Sequence, residues 1–184
     1  IDLCETNGGA LPHEVEAIVA VVASELPGQQ LGIHCHNDSG CAVANTLAAV
    51  RSGAVQVQGT VNGFGERVGN TDLLTVIADL ELKMGYTCVG DEQLRDLTSV
   101  AQFVAEACNL SVPTHHPYTG ASAFAHKGGL HASAIARFPE AYEHARPESV
   151  GNTQRMLVSE LAGKASLIAK AKNLGIDLTL HADK

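Results

Sequence analysis

Apolar and polar positions run through the first half of the chain in two alternating rhythms. Residues 1–4 read as a short strand. Val15, Ile18, Val19, Val22 and Leu26 then recur at helical spacing behind Pro12, a residue favoured in a first turn, and Pro27-Gly28 ends that helix. A second strand over 31–36 is followed by an alanine-rich helix over 42–52, closed by Gly53. A third strand over 54–61 leads through the loop "NGFGERVGN" into a helix over 71–84, closed by Gly85. Three strand–helix units in succession predict an α/β fold with a parallel sheet and helical crossovers.

Beyond Asp91 the pattern changes. Leu94, Leu97, Val100, Ala101, Val104 and Cys108 mark a long amphipathic helix, and a glycine- and histidine-rich stretch follows, "PTHHPYTGASAFAHKGGLHASA". Two short helices are expected near 130–138 and 164–174. The chain is therefore read as two parts, 1–90 carrying the βα units and 91–184 mostly helical.

In parallel sheets the working groups sit at the C-terminal ends of strands and in the loops after them. The chemically interesting segments lie there: "ETNGG", "HCHND" and "NGFGERVGN". On a strand His34 and His36 share one face and Cys35 takes the other. Two such imidazoles are either hydrogen-bonded neighbours or ligands of one ion. Their place at the end of a βα strand, with Asn37 and Asp38 next, favours the ion. Asn70 is the best further ligand, and a mixed nitrogen and oxygen set suits Mg, Mn, Zn or Co. The spacing Gly63-x-Gly65-x-x-x-Gly69 departs from the dinucleotide fingerprint, so these glycines are read as letting backbone approach a ligand closely. Glu66 and Arg67 form either a structural ion pair or part of the catalytic apparatus. Thr6 either places a hydroxyl over the sheet's mouth or stabilises the turn at Asn7-Gly8-Gly9.

Composition narrows the class. With 184 residues, 45% apolar and 17% charged, the chain has the makings of a globular core. A net charge of -8 without any Lys/Arg run argues against nucleic acid and anionic membrane surfaces. No segment is long and apolar enough to span a bilayer, so a cytoplasmic location is expected. The five cysteines lack any C-x-x-C pair and are expected to be reduced, mostly buried thiols. The opening "IDLCETNGG" has neither methionine nor leader, and the chain is expected to be part of a longer protein.

The 37-residue run "HCHNDSGCAVANTLAAVRSGAVQVQGTVNGFGERVGN" resembles the signature of the isopropylmalate, homocitrate and citramalate synthase family of HMGL-like enzymes. "LCETNGGALP" and "AFAHKGGLHASA…YEH…PESVGNTQRMLVSELAGKASL" look most like its bacterial citramalate branch. The resemblance covers essentially the whole chain. It implies a (β/α)8 TIM barrel of which this chain supplies strands six to eight, followed by helical linker subdomains, and a homodimer. It implies divalent-metal ligation by His34, His36 and Asn70, completed by an Asp from an Arg-Asp-Gly motif that this chain lacks. It assigns Thr6 to the 2-oxo acid carboxylate and His131 to proton transfer, with Tyr142 the nearest match to a linker tyrosine. Asn62, Gly63 and Gly65 are candidate substrate contacts, and Glu66 a candidate catalytic residue. Glu5 stands where the branch usually has Asp, lengthening a carboxylate beside Thr6.

The implied activity is Claisen condensation of acetyl-CoA with a 2-oxo acid, either pyruvate giving citramalate or 2-oxoisovalerate giving 2-isopropylmalate, in branched-chain amino-acid biosynthesis. Rival readings are an HMG-CoA lyase-like aldolase, an amidohydrolase-type barrel, and a dimerising linker piece without activity. Because three strands cannot close a barrel, the 184 residues alone are expected to be inactive.

Overall fold

The computed structural model describes residues 1–126, 138, 141–157, 171 and 175–176. Its two compact units comprise residues 1–112 and 113–184. The helices expected near 130–138 and 164–174 lie, but for Phe138 and Ala171, outside the described residues.

In the first unit, β1 (Asp2–Glu5), β2 (Leu31–Cys35) and β3 (Ala54–Gln58) form a parallel sheet in the order β1-β2-β3. The connections are α1 (Pro12–Glu25) and α2 (Ala42–Arg51), and β3 is followed by α3 (Leu73–Leu82). Each helix start is stabilised by a polar side chain. The Glu14 carboxylate accepts from the Leu11 amide ahead of α1, Asn37 Oδ1 accepts from the Ala42 amide at α2, and Asp72 accepts from the Leu74 and Thr75 amides at α3.

The two faces of the sheet differ sharply. Leu31, Ile33, Cys35 and Ala54 are buried under Val15, Val19, Ala42 and Ala49, with Leu3 and Val57 partly covered at the margin. The opposite face carries Asp2, Cys4, Gln56, Gln58 and His34; the first three are exposed. Cross-strand register aligns these polar side chains in rows, Asp2 with Gly32 and Gln56, then Cys4 with His34 and Gln58.

Several expectations shift. A register irregularity at Leu31/Gly32 pairs Leu31 with Ala54 and Gly32 with Gln56, so Val55 is the extra residue of a bulge and is 68% exposed. The third strand stops at Gln58 because the chain turns back, with Thr60 bridging to Asp72 and its amide donating to the Thr71 carbonyl. Ile18 and Leu26, expected on the apolar stripe of the first helix, are exposed, and α1 meets the core through Val15 and Val19, with Val22 and Ala23 partly buried beside them. The long helix after Asp91 is interrupted by a turn at Arg95-Asp96 into α4 (Asp91–Leu94) and α5 (Leu97–Ala107), with Leu94 and Leu97 both buried. All five cysteines are free, yet only Cys35 is buried; Cys4, Cys88 and Cys108 are exposed, on the polar sheet face, in a loop and at the end of α5.

In the second unit β4 (Ala125–His126) and β5 (Arg155–Met156) make a two-residue parallel ladder. Asn152 donates to the carbonyls of Tyr118 and Gly120, and the His144 ring lies edge-on to Tyr118 and stacked on Phe124. Among the described residues no helix is long and apolar enough to cross a membrane.

Candidate functional site

The C-terminal ends of the three strands and the loops after them meet at one mouth. His34 and His36 leave β2 with ring centroids 5.3 Å apart. The loop after β3 returns so that Asn70 bridges antiparallel to His36, and the Asn37 amide donates to the Gly69 carbonyl. Asn70 Nδ2 thereby comes within 3.3 Å of His34 Nε2, while His34 Nδ1 is 3.1 Å from Gln58 Oε1. His36 Nδ1 is buried without a hydrogen-bond partner.

Glycines make this return possible. The loop closes on itself through the Asn70 amide, which donates to the Gly63 carbonyl. A Cβ on Gly65 would stand 2.2 Å from Asn70 Oδ1, and one on Gly69, at φ +106°, would stand 2.1 Å from the Gly63 carbonyl oxygen. In this structure both glycines therefore make room for the loop's own atoms.

A charged clasp ties the three loops together. Arg67, itself at φ +58°, donates to both carboxylate oxygens of Asp38 at 2.7 and 2.8 Å and to the Thr6 carbonyl at 2.9 Å. The guanidinium holds the Asp38 carboxyl below its usual range, and the carboxylate in turn raises Arg67. Asp38 packs against Gly8, where a Cβ would overlap it, and the Ser39 amide donates to the Gly8 carbonyl. Arg67 is thus paired with Asp38 across loops, and Glu66 is exposed beside it. Thr6 is exposed and meets Arg67 through its backbone.

Glu5 turns under its own loop, Oε1 accepting from the Gly9 and Ala10 amides, while Oε2 is buried without a partner. Asn62 sits at φ +61° and donates to the Ala101 carbonyl of α5, leaving its Oδ1 buried and unpaired. Cys35, on the core side between the histidines, is pushed up to about 11 by burial.

Of the residues predicted from sequence, the fold brings His34, His36 and Asn70 together, and groups Asn62, Gly63, Gly65 and Glu66 in the adjoining loop. Tyr142 lies in the second unit, 41% exposed and edge-on to His126, whose Nε2 is 3.4 Å from Glu143. His131 lies outside the described residues. Sequence reading missed Gln58 and the Arg67–Asp38 clasp, which depend on cross-strand register and on how the loops fold back, and the Asn37 cap, which an Asn shortly before a helix start could have signalled.

Two imidazoles and a carboxamide suit three positions of a divalent ion's mixed ligand set, and the unpartnered His36 nitrogen fits that use. Among the described residues no three His, Cys, Asp or Glu side chains cluster as a ligand group. These residues therefore supply no carboxylate ligand alongside the pair.

Parallel strands joined by helices, with polar groups gathered at their C-terminal ends, define an α/β domain of the kind that carries its site at the strand C-termini. The chain belongs to the HMGL-like family, whose model matches residues 1–104; residues 118–183 match the homocitrate synthase post-HMGL domain-like family. It is 57% identical over 176 residues to (R)-citramalate synthase of Streptomyces coelicolor, covering 96% of this chain and 33% of that protein. It is 55% identical over 178 residues to (R)-citramalate synthase of Geobacter sulfurreducens, covering 97% and 34%. Among solved structures, an HMG-CoA lyase from Acinetobacter baumannii in complex with coenzyme A and 3-methylmalate superposes with a TM-score of 0.54 at 27% identity, covering 61% of this chain and 38% of that one. The chain spans about a third of the length of the synthases it matches.

Proposed function

We propose that this chain is part of a divalent-metal-dependent synthase that condenses acetyl-CoA with a 2-oxo acid, pyruvate giving citramalate in the first instance. The observation that carries the reading is the meeting of His34, His36 and Asn70 at the mouth of the sheet, in a chain more than half identical to (R)-citramalate synthases. In this proposal residues 1–90 are barrel strands six to eight with their helices, residues 91–184 are linker subdomains, and the protein works as a cytoplasmic homodimer without nucleic-acid or membrane partners.

His34, His36 and Asn70 would hold the ion, with a carboxylate ligand from outside the 184 residues. A bound Mg, Mn, Zn or Co ion supplies Lewis-acid polarisation of the 2-oxo acid's carbonyl. Thr6 binds the substrate carboxylate, and the backbone at Asn62, Gly63 and Gly65 shapes the wall beside it. His131, with Tyr142 and Glu66, carries the proton transfers. One proton leaves the methyl group of acetyl-CoA, the resulting enolate carbon bonds to the keto carbon, and the new hydroxyl takes up a proton. Water then cleaves the thioester, releasing coenzyme A as a free thiol. Positioned proton transfer of this kind contributes roughly 10²–10⁴-fold.

Synthases match 96% of the chain at 57% identity, whereas the lyase structure matches 61% at 27%, which favours condensation over the lyase reading. The full-length protein carrying this chain, given acetyl-CoA and Mn²⁺, should release free thiol with pyruvate faster than with 2-oxoisovalerate or 2-oxoglutarate. Absence of thiol release with all three acids overturns the reading.

A further inference from the structure

His34 is held at both ring nitrogens by side-chain amides of opposite polarity. On one side stands Gln58 Oε1, an acceptor without a proton, 3.1 Å from Nδ1. On the other stands Asn70 Nδ2, a donor, 3.3 Å from Nε2. A neutral imidazole has one N–H and one lone pair. An acceptor facing Nδ1 and a donor facing Nε2 are both satisfied by only one arrangement, with the proton on Nδ1.

The backbone sets this up. Gln58 is the last residue of β3 and stands in register with His34, so the two side chains leave neighbouring strands on the same face. Gln56, one row back, reaches over Gly32, where a Cβ would stand 2.2 Å from its Oε1. Gln58 is thus the β3 side chain level with the imidazole. His36 has no corresponding partner, and its Nδ1 is buried unpaired. The two histidines are therefore inequivalent, one oriented by a neighbouring strand and the other with a buried, unpartnered Nδ1.

We propose that Gln58 is a positioning residue that locks His34 as the Nδ1–H tautomer and aims its Nε2 lone pair at the space beside Asn70. This deepens the proposed metal-site reading and rests on it for its purpose, though the tautomer itself does not require a metal. A neutral amide does this without adding negative charge next to the ion, whereas a carboxylate would do the same with a charge. Outer partners that orient a ligating histidine are typically worth about 10–100-fold in metal affinity.

The test uses the full-length protein carrying this chain, labelled with ¹⁵N, freed of metal by chelation and held at a pH where the imidazole is neutral. Long-range ¹H–¹⁵N correlation reads the tautomer of His34, whose signals are identified by their loss in His34→Ala. The expected result is the Nδ1–H tautomer in the parent protein, retained in Gln58→Glu, and a shift towards Nε2–H in Gln58→Met, which fills the same space without an acceptor. Calorimetry with Mn²⁺ alone should show affinity about 10–100-fold weaker in Gln58→Met and close to the parent in Gln58→Glu. An Nε2–H tautomer in the parent protein overturns the proposal without any variant, and so does an unchanged tautomer in a folded Gln58→Met protein. A parent protein that shows the expected tautomers but binds no Mn²⁺ supports the role of Gln58 and sinks the metal reading instead.

Discussion

Gly65 lies so close to Asn70 that a single methyl group at its α-carbon would stand 2.2 Å from the Asn70 amide oxygen and 3.1 Å from its backbone nitrogen. The glycine is therefore part of what brings Asn70 to His34. Gly65→Ala should weaken Mn²⁺ binding in calorimetry at least as strongly as loss of an orienting partner, about 10–100-fold. The melting temperature should move little, because Gly65 needs no positive φ. Unchanged affinity would show that Asn70 is not a ligand.

His34→Ala and His36→Ala each remove an imidazole from the pair and should abolish measurable divalent-ion binding by the full-length protein. Binding that persists in either variant at parental affinity removes that histidine from the ligand set.

The Arg67–Asp38 clasp has a pH signature. The folded carboxyl sits below its ordinary value because Arg67 stabilises the charged form. Its contribution is therefore present above the ordinary carboxylate pKa and is lost as pH falls through the lowered one. In hydrogen exchange, the Ser39 amide, which donates to the Gly8 carbonyl, should lose protection in acid. Arg67→Met should lose that protection already at neutral pH, and high salt should imitate it in part, since the pair is accessible to solvent. Equal exchange in the variant and the parent would show that the loops hold without the clasp.

Of the five thiols Cys35 is the buried one. Burial favours its neutral form, pushing its pKa up to about 11 from an ordinary 9.0. Its stabilising effect is full below 9 and fades as pH rises through about 11, because the unfolded thiol gives up its proton first. At pH 8 an aromatic disulfide reagent should label Cys4, Cys88 and Cys108 readily and Cys35 only on unfolding, with mass spectrometry of the peptides as the readout. Fast labelling of native Cys35 contradicts the burial described.

Core and surface apolar residues on neighbouring elements should separate cleanly. Ile33 is 2% exposed under α1 and α2, and Ile33→Ala should cost about 2–5 kcal/mol in denaturant unfolding. Ile18, at 55% exposed, should change stability by roughly 0.5 kcal/mol or less on the same substitution.

Much was legible in the linear sequence because its physics is local. Period-two and period-3.6 patterning set the order of strands and helices, Pro12 and Gly53 marked their limits, and the alternation of a strand put His34 and His36 on one face. Local pattern does not carry register. Val55 and Val57 share parity, yet the bulge at Leu31/Gly32 exposes one and packs the other. Leu94 and Cys108 fit one helical stripe, yet the chain turns at Arg95-Asp96 between Leu94 and Leu97, and Cys108 at the end of α5 is exposed. Arg67 is written beside Glu66 but is paired with Asp38 from another loop, because a returning loop brings positions 29 residues apart within hydrogen-bond reach. The sequence by itself determined the parallel α/β rhythm and named three residues of the candidate site. Only the tertiary structure decided that Asn70 meets His34, that Gln58 stands on its far side, and that His36 has no such partner, since these contacts depend on strand register and loop return.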